Sequence, residues 1–397
     1  MQENKLFDYV IQVHDSMHEI NEHAWNNLLA LQKKPTPFMQ HAYLRAMEDS
    51  QAASPQTGWG LQIITVWQAT PNGQHLCAAC PLYLKGNSYG EYVFDWAWAE
   101  AYQRHGLNYY PKAVIAVPFT PVPGSRLLAV DAYARNALAK AVIEFAQKHD
   151  LSSLHLLFGD EEDDLQACLE AGMMLRHTVQ FHWNNTNYLD FDDFLSHLSQ
   201  EKRKKIRQER RKVKDAGVHF RVLRGDEIQN SDWEFFYKCY EQTYLEHGNK
   251  PYLSREFFNF MQLDMPRNWL LFVALREDRP IACSLLGLET ANSASDAEGI
   301  AYGRYWGALE RVDCLHFEAC YYQPIEWCIA HGFIRFEGGA QGEHKMARAL
   351  LPVQTSSAHW LAHPGFAEAV ARFLAQEGQG VEAYLQDLSI RTPLRQT

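Results

Sequence analysis

Apolar residues in the first half of the chain recur with two periods, one typical of strands and one typical of helices. Strand-like runs lie at 10–13, 61–69, 75–85, 112–117, 153–158 and 176–183. Helical spacing covers 21–31, 40–48, 131–149 and 160–171. The sequence Pro71-Asn72-Gly73, between the second and third runs, is typical of a β-hairpin turn. The pattern therefore predicts a mixed α/β domain in the first 190 residues.

The second half of the chain shows the same order of elements, although the two halves have no detectable sequence repeat. Its strand-like runs lie at 219–223, 269–276, 281–289, 300–308 and 334–336. Its helical patterns cover 233–245, 255–263, 316–331 and most of 366–388. At 397 residues the chain is longer than one hydrophobic core usually serves. We therefore expect a duplicated α/β (α+β) fold with domains at 1–190 and 218–397, the second of which holds the functional site.

The segment 191–217 between these domains predicts a strongly basic helix. Residues 202–214 contain nine Lys or Arg and one Glu, whereas the whole chain has a net charge of −11. Leu195, Leu198, Ile206 and Val213 would form one narrow apolar seam along this helix. The exposed basic face has three interpretations: it binds tRNA phosphates, it binds another anionic carrier or a membrane face, or it is simply solvated.

The composition indicates a globular protein, with 47% hydrophobic and 21% charged residues. The chain has no run of eighteen apolar residues, and its first residues lack the basic and apolar regions of a secretory signal. We therefore expect a cytoplasmic protein. Its eight cysteines are interpreted as reduced thiols. Cys77 and Cys80 lie inside an apolar run, which favours a core position over a redox pair or a zinc site.

The segment 336–352 combines glycines with ionisable side chains directly after the last predicted strand. It contains Gly338, Gly339, Gly342, Glu343, His344, Lys345 and Arg348. Glycine permits sharp turns and the close approach of another molecule. Ionisable groups beside such turns are usually exposed or functional, because burying them is unfavourable. The segment is therefore a candidate functional loop, and a plain polar loop is the alternative.

Four segments and the order of elements resemble a known family. The order resembles the GCN5-related N-acetyltransferase fold taken twice, as in Fem-type peptidoglycan aminoacyltransferases. The segments 214–223, 315–326, 337–345 and 356–360 are similar to the FemAB-like predicted N-acyltransferases. The resemblance covers nearly the whole chain and implies two tandem acetyltransferase-like domains joined by a basic helix. It also implies transfer of an acyl or aminoacyl group to an amine of a peptide, a cell-envelope precursor or a small metabolite.

The resemblance implies a carrier for that group, either acyl-CoA or aminoacyl-tRNA, and no tightly bound cofactor. In acetyltransferase folds the pyrophosphate of CoA lies on a helix N-terminus, where free N–H groups favour anions. In acetyltransferase folds the segment that holds this pyrophosphate, here called the cradle, usually has the sequence Gln/Arg-x-x-Gly-x-Gly/Ala. At the corresponding junction between strand and helix, the first half of the chain has only Gly124 and Arg126. In the second half the corresponding segment, 310–316, has no glycine. This departure puts CoA binding in doubt, whereas an aminoacyl-tRNA would not need the cradle.

Acyl transfer to an amine needs a base, donors to the carbonyl oxyanion and an anchor for the carrier. The predicted catalytic residues are His316, Glu318, Glu343 and His344. Of these, Glu343 or His344 would be the base, and Glu318 would orient His316 or the amine. The predicted ligands of donor and substrate are Gly124, Arg126, Tyr322, Gly339, Gln341, Gly342, Lys345, Arg348 and His359. For 316–331 the alternative is a core helix with a polar rim.

No metal site is expected, because the candidate ligands lack the usual spacing and acyl transfer needs no metal. The expected partners are an amine-bearing acceptor and, through residues 202–214, tRNA. A second interpretation of the chain is a non-catalytic binding module whose degenerate domains recognise an acyl carrier or a peptidoglycan fragment. The absence of the usual CoA-binding motif favours this interpretation. The many ionisable side chains of the segment 336–352 favour an enzyme.

Overall fold

The computed structural model describes residues 9–71, 73–289, 298–339 and 342–395. The chain forms two compact units. Unit 1 consists of Met1–Thr178 and Thr355–Val381, and unit 2 consists of Val179–Gln354 and Glu382–Thr397. These limits differ from the predicted boundaries at 190 and 217, because the basic segment belongs to unit 2 and Thr355–Val381 returns to unit 1.

The strands and helices follow the predicted order, with three further elements that were not predicted, at Trp96–Arg104, Leu128–Ala129 and Leu351–Leu361. The strands are β1 (Tyr9–His14), β2 (Trp59–Thr70), β3 (Gly73–Lys85), β4 (Lys112–Ile115), β5 (Leu128–Ala129), β6 (Ser153–Gly159), β7 (Met174–Asn184), β8 (Val218–Arg224), β9 (Trp269–Arg276), β10 (Arg279–Glu289), β11 (Ile300–Ala308), β12 (Arg335–Glu337) and β13 (Leu351–Leu361). The helices are α1 (Glu22–Ala30), α2 (His41–Asp49), α3 (Trp96–Arg104), α4 (Ala132–Lys148), α5 (Glu162–Glu170), α6 (Phe191–Ser196), α7 (Gln200–Asp215), α8 (Asn230–Glu246), α9 (Arg255–Asp264), α10 (Leu315–Phe317), α11 (Gln323–Ala330) and α12 (Pro364–Ile390). Within the described ranges, no helix has the length and apolar character needed to cross a membrane.

In unit 1 the strands follow the order β1-β2-β3-β4-β6-β13, and β5 pairs with β3. Neighbouring strands are antiparallel except β4 and β6, which run parallel. Helix α4 covers this sheet and buries Leu138 and Val142 in the same core as Leu156. Asp131 caps the helix, since its Oδ1 accepts a hydrogen bond from the N–H of Ala134 at 2.8 Å.

Strand β13 contains the 356–360 motif but was not predicted as a strand, because its central residues are mostly polar. These residues are buried and their hydroxyls make hydrogen bonds within unit 1. Thr355 bonds the Thr178 hydroxyl at 2.8 Å, and Ser357 accepts from the N–H of Phe158 at 3.1 Å. A buried polar strand of this kind lacks the apolar alternation by which strands are recognised.

In unit 2 the order is β7-β12-β11-β10-β9-β8, to which β7 contributes its residues from Val179 onward. The pair β11 and β12 is parallel, and the other neighbours are antiparallel. Strand β12 therefore lies inside the sheet, with β7 on one side and β11 on the other. The candidate loop begins where β12 ends, at Glu337.

The basic segment forms two helices, α6 and α7, where one was predicted. The break occurs because residues between them pair with the end of the chain. The N–H of Ser199 donates to the Pro393 carbonyl at 2.9 Å, and the N–H of Arg395 donates to the His197 carbonyl at 2.9 Å. The predicted seam is buried, as Ile206 and Val213 are 1% and 2% exposed.

Between α10 and α11 the backbone passes through a π-helical turn, Glu318–Tyr322. The N–H of Gln323 donates to the carbonyl of Glu318, five residues back. Pro324 follows directly and has no N–H to donate, so the regular hydrogen-bond ladder is interrupted at this point. Turns of this type are frequent at functional sites, and this one lies in the predicted site helix.

Candidate functional site

The candidate loop is a short turn and a 3-10 helix that together present four ionisable side chains. The N–H of Gly338 donates to the Phe181 carbonyl at 3.1 Å, which anchors the start of the loop to β7. Gly342 has a φ of 105°, and a Cβ atom there would lie 2.4 Å from the His344 ring. The 3-10 helix Glu343–Arg348 follows. A glycine is therefore required at 342 for this position of His344.

Arg348 belongs to a buried network that includes the one acidic residue of the 202–214 block. Its Nη2 lies 3.0 Å from Oε2 and 3.3 Å from Oε1 of Glu209. The Tyr322 hydroxyl also donates to Glu209. The guanidinium stacks over the Phe317 ring, 3.5 Å from its centroid, and Nη1 donates to the His344 carbonyl at 2.7 Å. Arg348 thus fixes the loop on α7.

Glu318 takes part in a second ion-pair network with the same helix. It is 4% exposed and accepts from Arg210 Nε at 3.1 Å and from Gln323 Nε2 at 2.7 Å. Arg210 also bonds Glu326 at 2.6 Å. The described contacts of Glu318 do not include His316. Glu318 therefore does not orient His316 in this structure, as was predicted for one of its two possible roles.

Lys345 is a buried cation that has no carboxylate partner among the described residues. It is 4% exposed, and its ammonium donates to the Gly339 carbonyl at 2.9 Å. Burial lowers the pKa of Lys345 to about 8. An ammonium has three donors, so Lys345 retains donors for a ligand.

His344 and His316 both lie next to Tyr321. His344 Nε2 is 3.2 Å from the Tyr321 hydroxyl, and the His316 and Tyr321 ring centroids are 5.7 Å apart. Burial, then the charges of His344, Arg348 and Lys345, lower the pKa of His316 to about 4. Burial and the charges of Arg348 and Lys345 also lower the pKa of His344. Both imidazoles are therefore neutral near pH 7 and can accept a proton.

Glu343 is exposed and is turned toward the end of α12. It accepts from the Tyr384 hydroxyl at 2.8 Å and forms a 3.3 Å ion pair with Arg391. Glu343 is therefore occupied by contacts within unit 2, whereas its neighbour in the sequence, His344, forms no ion pair with any residue that the structure describes. Gln341 lies outside the described residues.

Three predicted ligands, Gly124, Arg126 and His359, belong to unit 1. Arg126 is 1% exposed, and its guanidinium donates to carbonyls of its own unit, including Leu157 at 3.0 Å. The N–H of Gly124 donates to the Phe158 carbonyl at 3.1 Å. Since these groups are used within the fold, no anion cradle is formed by their contacts.

His359 belongs to a buried polar network that the sequence did not indicate. Its Nδ1 is 2.8 Å from Nδ1 of His155, and burial lowers the pKa values of both histidines, that of His155 to about 3. The network continues through Tyr109 to Asp95, which pairs with Lys112. Paired charges of this kind stabilise a buried site only when their hydrogen bonds are satisfied.

A cavity of about 600 Å³ lies beside α7 in unit 2. Its rim carries Arg207 and Arg210, which are paired with acids, and Arg211 and Lys214, which have no charged partner in the described part of the chain. Val213 contributes to its apolar floor. Across the same described residues, no group of three His, Cys, Asp or Glu side chains is placed to hold a metal ion.

Solved structures with the same fold are distant in sequence. FemX is 11% identical with a TM-score of 0.54, covering 91% of this chain and 100% of its own. L-PGS from Bacillus licheniformis is 10% identical with a TM-score of 0.51, covering 89% of this chain and 97% of its own. These likenesses confirm the predicted tandem acetyltransferase-like fold.

Sequence comparison gives the family. No curated protein sequence matches the chain. The profile of the FemAB-like family, described as peptidoglycan biosynthesis/recognition, matches residues 16–396. This span includes all the predicted site residues and confirms the resemblance found in the motifs. The chain therefore belongs to the FemAB-like family.

Proposed function

We propose that the protein is an N-acyltransferase that moves an acyl or aminoacyl group from a carrier to an amine of a peptidoglycan-related acceptor. The observation that carries this proposal is a neutral imidazole, His344, whose neighbour in the sequence, Lys345, is a buried ammonium without a carboxylate partner among the described residues. A base and a donor to the oxyanion are two of the groups that acyl transfer to an amine needs. The family description supports the class of acceptor.

In the proposed reaction the amine of the acceptor attacks the carbonyl carbon of the donor. The carbonyl oxygen becomes an oxyanion, which the Lys345 ammonium stabilises by a hydrogen bond and its charge. His344 Nε2 takes the proton that the amine loses. Collapse of the oxyanion breaks the bond to the carrier, and the leaving thiolate or alkoxide takes up the proton that His344 holds. The result is an amide and a free carrier.

Arg348, Tyr322 and Glu318 act as positioning residues in this proposal. Their polar groups bond Glu209 and Arg210, so they hold the loop and the π-helical turn on α7 and do not contact the substrate. Arg126 and Glu343 are left out of the proposed site, because their side chains are occupied elsewhere.

The carrier is proposed to be an aminoacyl-tRNA, with acyl-CoA as the alternative donor. The segment 310–316 has no glycine for a CoA cradle. By contrast, helix α7 exposes unpaired cations, and Arg211 and Lys214 line the rim of its cavity. Cations at this spacing attract phosphates in a salt-dependent manner.

A non-catalytic binding module remains the second candidate. It is favoured by the internal ion pairs of Arg348 and Glu318, which leave fewer free groups in the loop than the sequence suggested. Such a module would bind a peptidoglycan fragment and would transfer nothing.

The two candidates are separated by incubating the chain with aminoacyl-tRNA or acyl-CoA and a muropeptide that has a free amine. Mass spectrometry of the muropeptide measures the transferred group, and a thermal shift measures binding. We expect the mass increase with the wild-type chain and not with His344→Ala. Binding of the muropeptide without any mass increase would support the module, and neither binding nor transfer would reject both.

A further inference from the structure

One segment of unit 1 turns its acids inward and displays aromatic rings to solvent. The segment 86–97, which the structure describes in full, has no lysine or arginine and two acids, Glu91 and Asp95, both buried. Three of its aromatic side chains are exposed instead: Tyr89 at 62%, Phe94 at 54% and Trp96 at 42%. Protein surfaces normally expose charges and keep large rings inside, so the reverse arrangement indicates a contact surface.

A buried lysine fixes this segment from beneath. Lys112 of β4 is 0% exposed, and its ammonium donates to Glu91 at 2.8 Å and also to Asp95. The Ser88 hydroxyl accepts from the same ammonium at 2.9 Å. The Tyr109 hydroxyl donates to Asp95 at 2.6 Å. The exposed rings are therefore carried on a segment that is already ordered, which reduces the entropy that a partner would have to remove on binding.

The rings lie together around Arg176 of β7. The ring centroids of Tyr89 and Trp96 are 5.1 Å apart. Arg176 Nη1 donates to the Phe94 carbonyl at 2.8 Å, and its guanidinium lies 6.0 Å from the ring centroid of Phe373 of α12. Phe373 is 44% exposed. These four aromatic residues, with Arg176, are here called the aromatic patch.

The aromatic patch is large enough to form the centre of a specific interface. A large aromatic side chain has about 150–250 Å² of surface, and about half of each of the four rings is exposed. The patch therefore presents aromatic surface on the order of 400 Å². A standard interface buries about 800 Å² on each partner, and its buried centre is rich in aromatic residues and arginine.

The charges within the patch favour a second copy of this chain over a lipid surface. Arg176 and Glu377 form a bidentate ion pair there, with two N–O distances of 2.8 Å. Placing this pair in hydrocarbon would be unfavourable. A two-fold axis, by contrast, sets one positive and one negative charge against the same pair in reverse order, so the pair is complementary to itself. The net charge of −11 makes two copies repel each other overall, and an uncharged aromatic surface is where they can meet.

We propose that two copies of this chain associate through the aromatic patch in a symmetric dimer. The four rings of one copy would pack against those of the other, and Arg176 of each copy would face Glu377 of the other copy. The inference does not rest on the proposed acyl transfer, since the patch and Glu377 belong to unit 1 and association needs no donor.

Sedimentation velocity of the full chain, across micromolar concentrations, measures the association. We expect a reversible equilibrium between monomer and dimer. Phe94→Ser and Trp96→Ser each remove a ring that occurs twice in a symmetric contact, so each should weaken dimerisation at least about tenfold. Tyr133→Ser is the matched control, because Tyr133 is a 64% exposed aromatic residue of α4 outside the patch. It should dimerise like the wild type.

Reversal of the two charges separates a second copy from any other partner. Arg176→Glu alone and Glu377→Arg alone each set like charges against one another across the two-fold axis, so each variant should dimerise less than the wild type. A mixture of the two variants restores opposite charges in the mixed dimer, which should form. Loss of folding cannot produce this recovery.

Vesicles of phosphatidylcholine and phosphatidylglycerol are the lipid probe, and the wild type should not sediment with them. The proposal is overturned if the wild type stays monomeric, if Phe94→Ser and Trp96→Ser dimerise as well as Tyr133→Ser, or if the mixed charge variants do not associate. Vesicle binding that Trp96→Ser abolishes would likewise overturn it in favour of a lipid surface. A monomeric chain that still forms amides would refute the dimer alone, so the two proposals fail separately.

Discussion

Glu209 of α7 accepts a hydrogen bond from Arg348 of the candidate loop at 3.0 Å, and both side chains are buried. Glu209 is the single acid in a block of nine basic residues, and it faces the protein while most of the bases face solvent. Because Tyr322 bonds the same carboxylate, one residue of α7 holds both the loop and the π-helical turn. The basic helix is therefore part of the structure of the candidate site.

The first prediction concerns the stability that this pair provides. Glu209→Ala leaves Arg348 as a buried charge without a counter-ion, so we expect the free energy of unfolding of unit 2 to fall by about 3–5 kcal/mol. Urea denaturation followed by tryptophan fluorescence measures the change. Glu201→Ala is the control on the same helix. Glu201 is exposed, and its loss should change stability by less than about 0.5 kcal/mol. Equal effects of the two variants would contradict the structural role of Glu209.

Most of the fold could be predicted from the sequence, because apolar residues recur in it at the regular spacings of strands and helices. The pairing of β2 with β3, the helix capped by Asp131 and the helical pattern ending near His331 each depend on local signals. Strand β13 and the break at His197–Ser199 could not be read, since both depend on partners distant in sequence. Long-range hydrogen bonds leave no periodic pattern in the chain.

The sequence predicted a polar loop after β12 but not the contacts of its side chains, and its role as the functional site stays a prediction. The glycines and charges at 338–348 indicated the loop, but not which charges are paired within the protein. Arg348 and Glu343 are paired by Glu209 and Arg391, and neither pairing can be inferred from spacing. The assignment of catalytic roles therefore stays a prediction that variants must test.

The second prediction distinguishes the two candidate bases. His344→Ala should lower kcat by about 100-fold to 10,000-fold, the usual contribution of a general base, whereas Glu343→Gln should keep nearly full activity. Steady-state rates of amide formation measure both variants. The lowered pKa of His344 also predicts that activity is lost only below its ordinary titration range, on the acid side of pH 6.5. A large loss in Glu343→Gln with a normal rate in His344→Ala would reverse the assignment.

The third prediction concerns the buried ammonium of Lys345. Its folded-state pKa is about 8 and its ordinary value is 10.5, so between these values the unfolded chain binds more protons. The free energy of unfolding should therefore rise as the pH goes from about 8 to 10.5. Below pH 8 the charged Lys345 lowers the free energy of unfolding by its full amount, about 3 kcal/mol.

Lys345→Met should raise the free energy of unfolding at pH 7 by up to about 3 kcal/mol and should abolish transfer. The difference between wild type and variant should shrink as the pH passes from 8 to 10.5. Denaturation curves collected across this range measure it. Lys345→Arg, which keeps the charge, is the comparison for activity. If Lys345→Met is less stable than the wild type at pH 7, burial of the Lys345 ammonium does not destabilise the folded protein.

The last prediction concerns the exposed face of α7. Lys204 and Lys205 are exposed and have no charged partner in the described residues, so they are free to bind phosphates. If the carrier is a tRNA, its affinity should fall steeply between about 50 and 200 mM salt. Replacing both lysines by glutamine should reduce the slope of log K against log salt by about two.

Fluorescence anisotropy of a labelled tRNA measures this slope. The matched control is the double replacement of Lys238 and Lys250, two exposed lysines of unit 2 outside α7, by glutamine. Because the phosphates would be neutralised locally by α7, the control should retain the wild-type slope. A binding affinity that does not respond to salt, or an equal loss in the control, would show that α7 is a solvated helix and would leave acyl-CoA as the proposed donor.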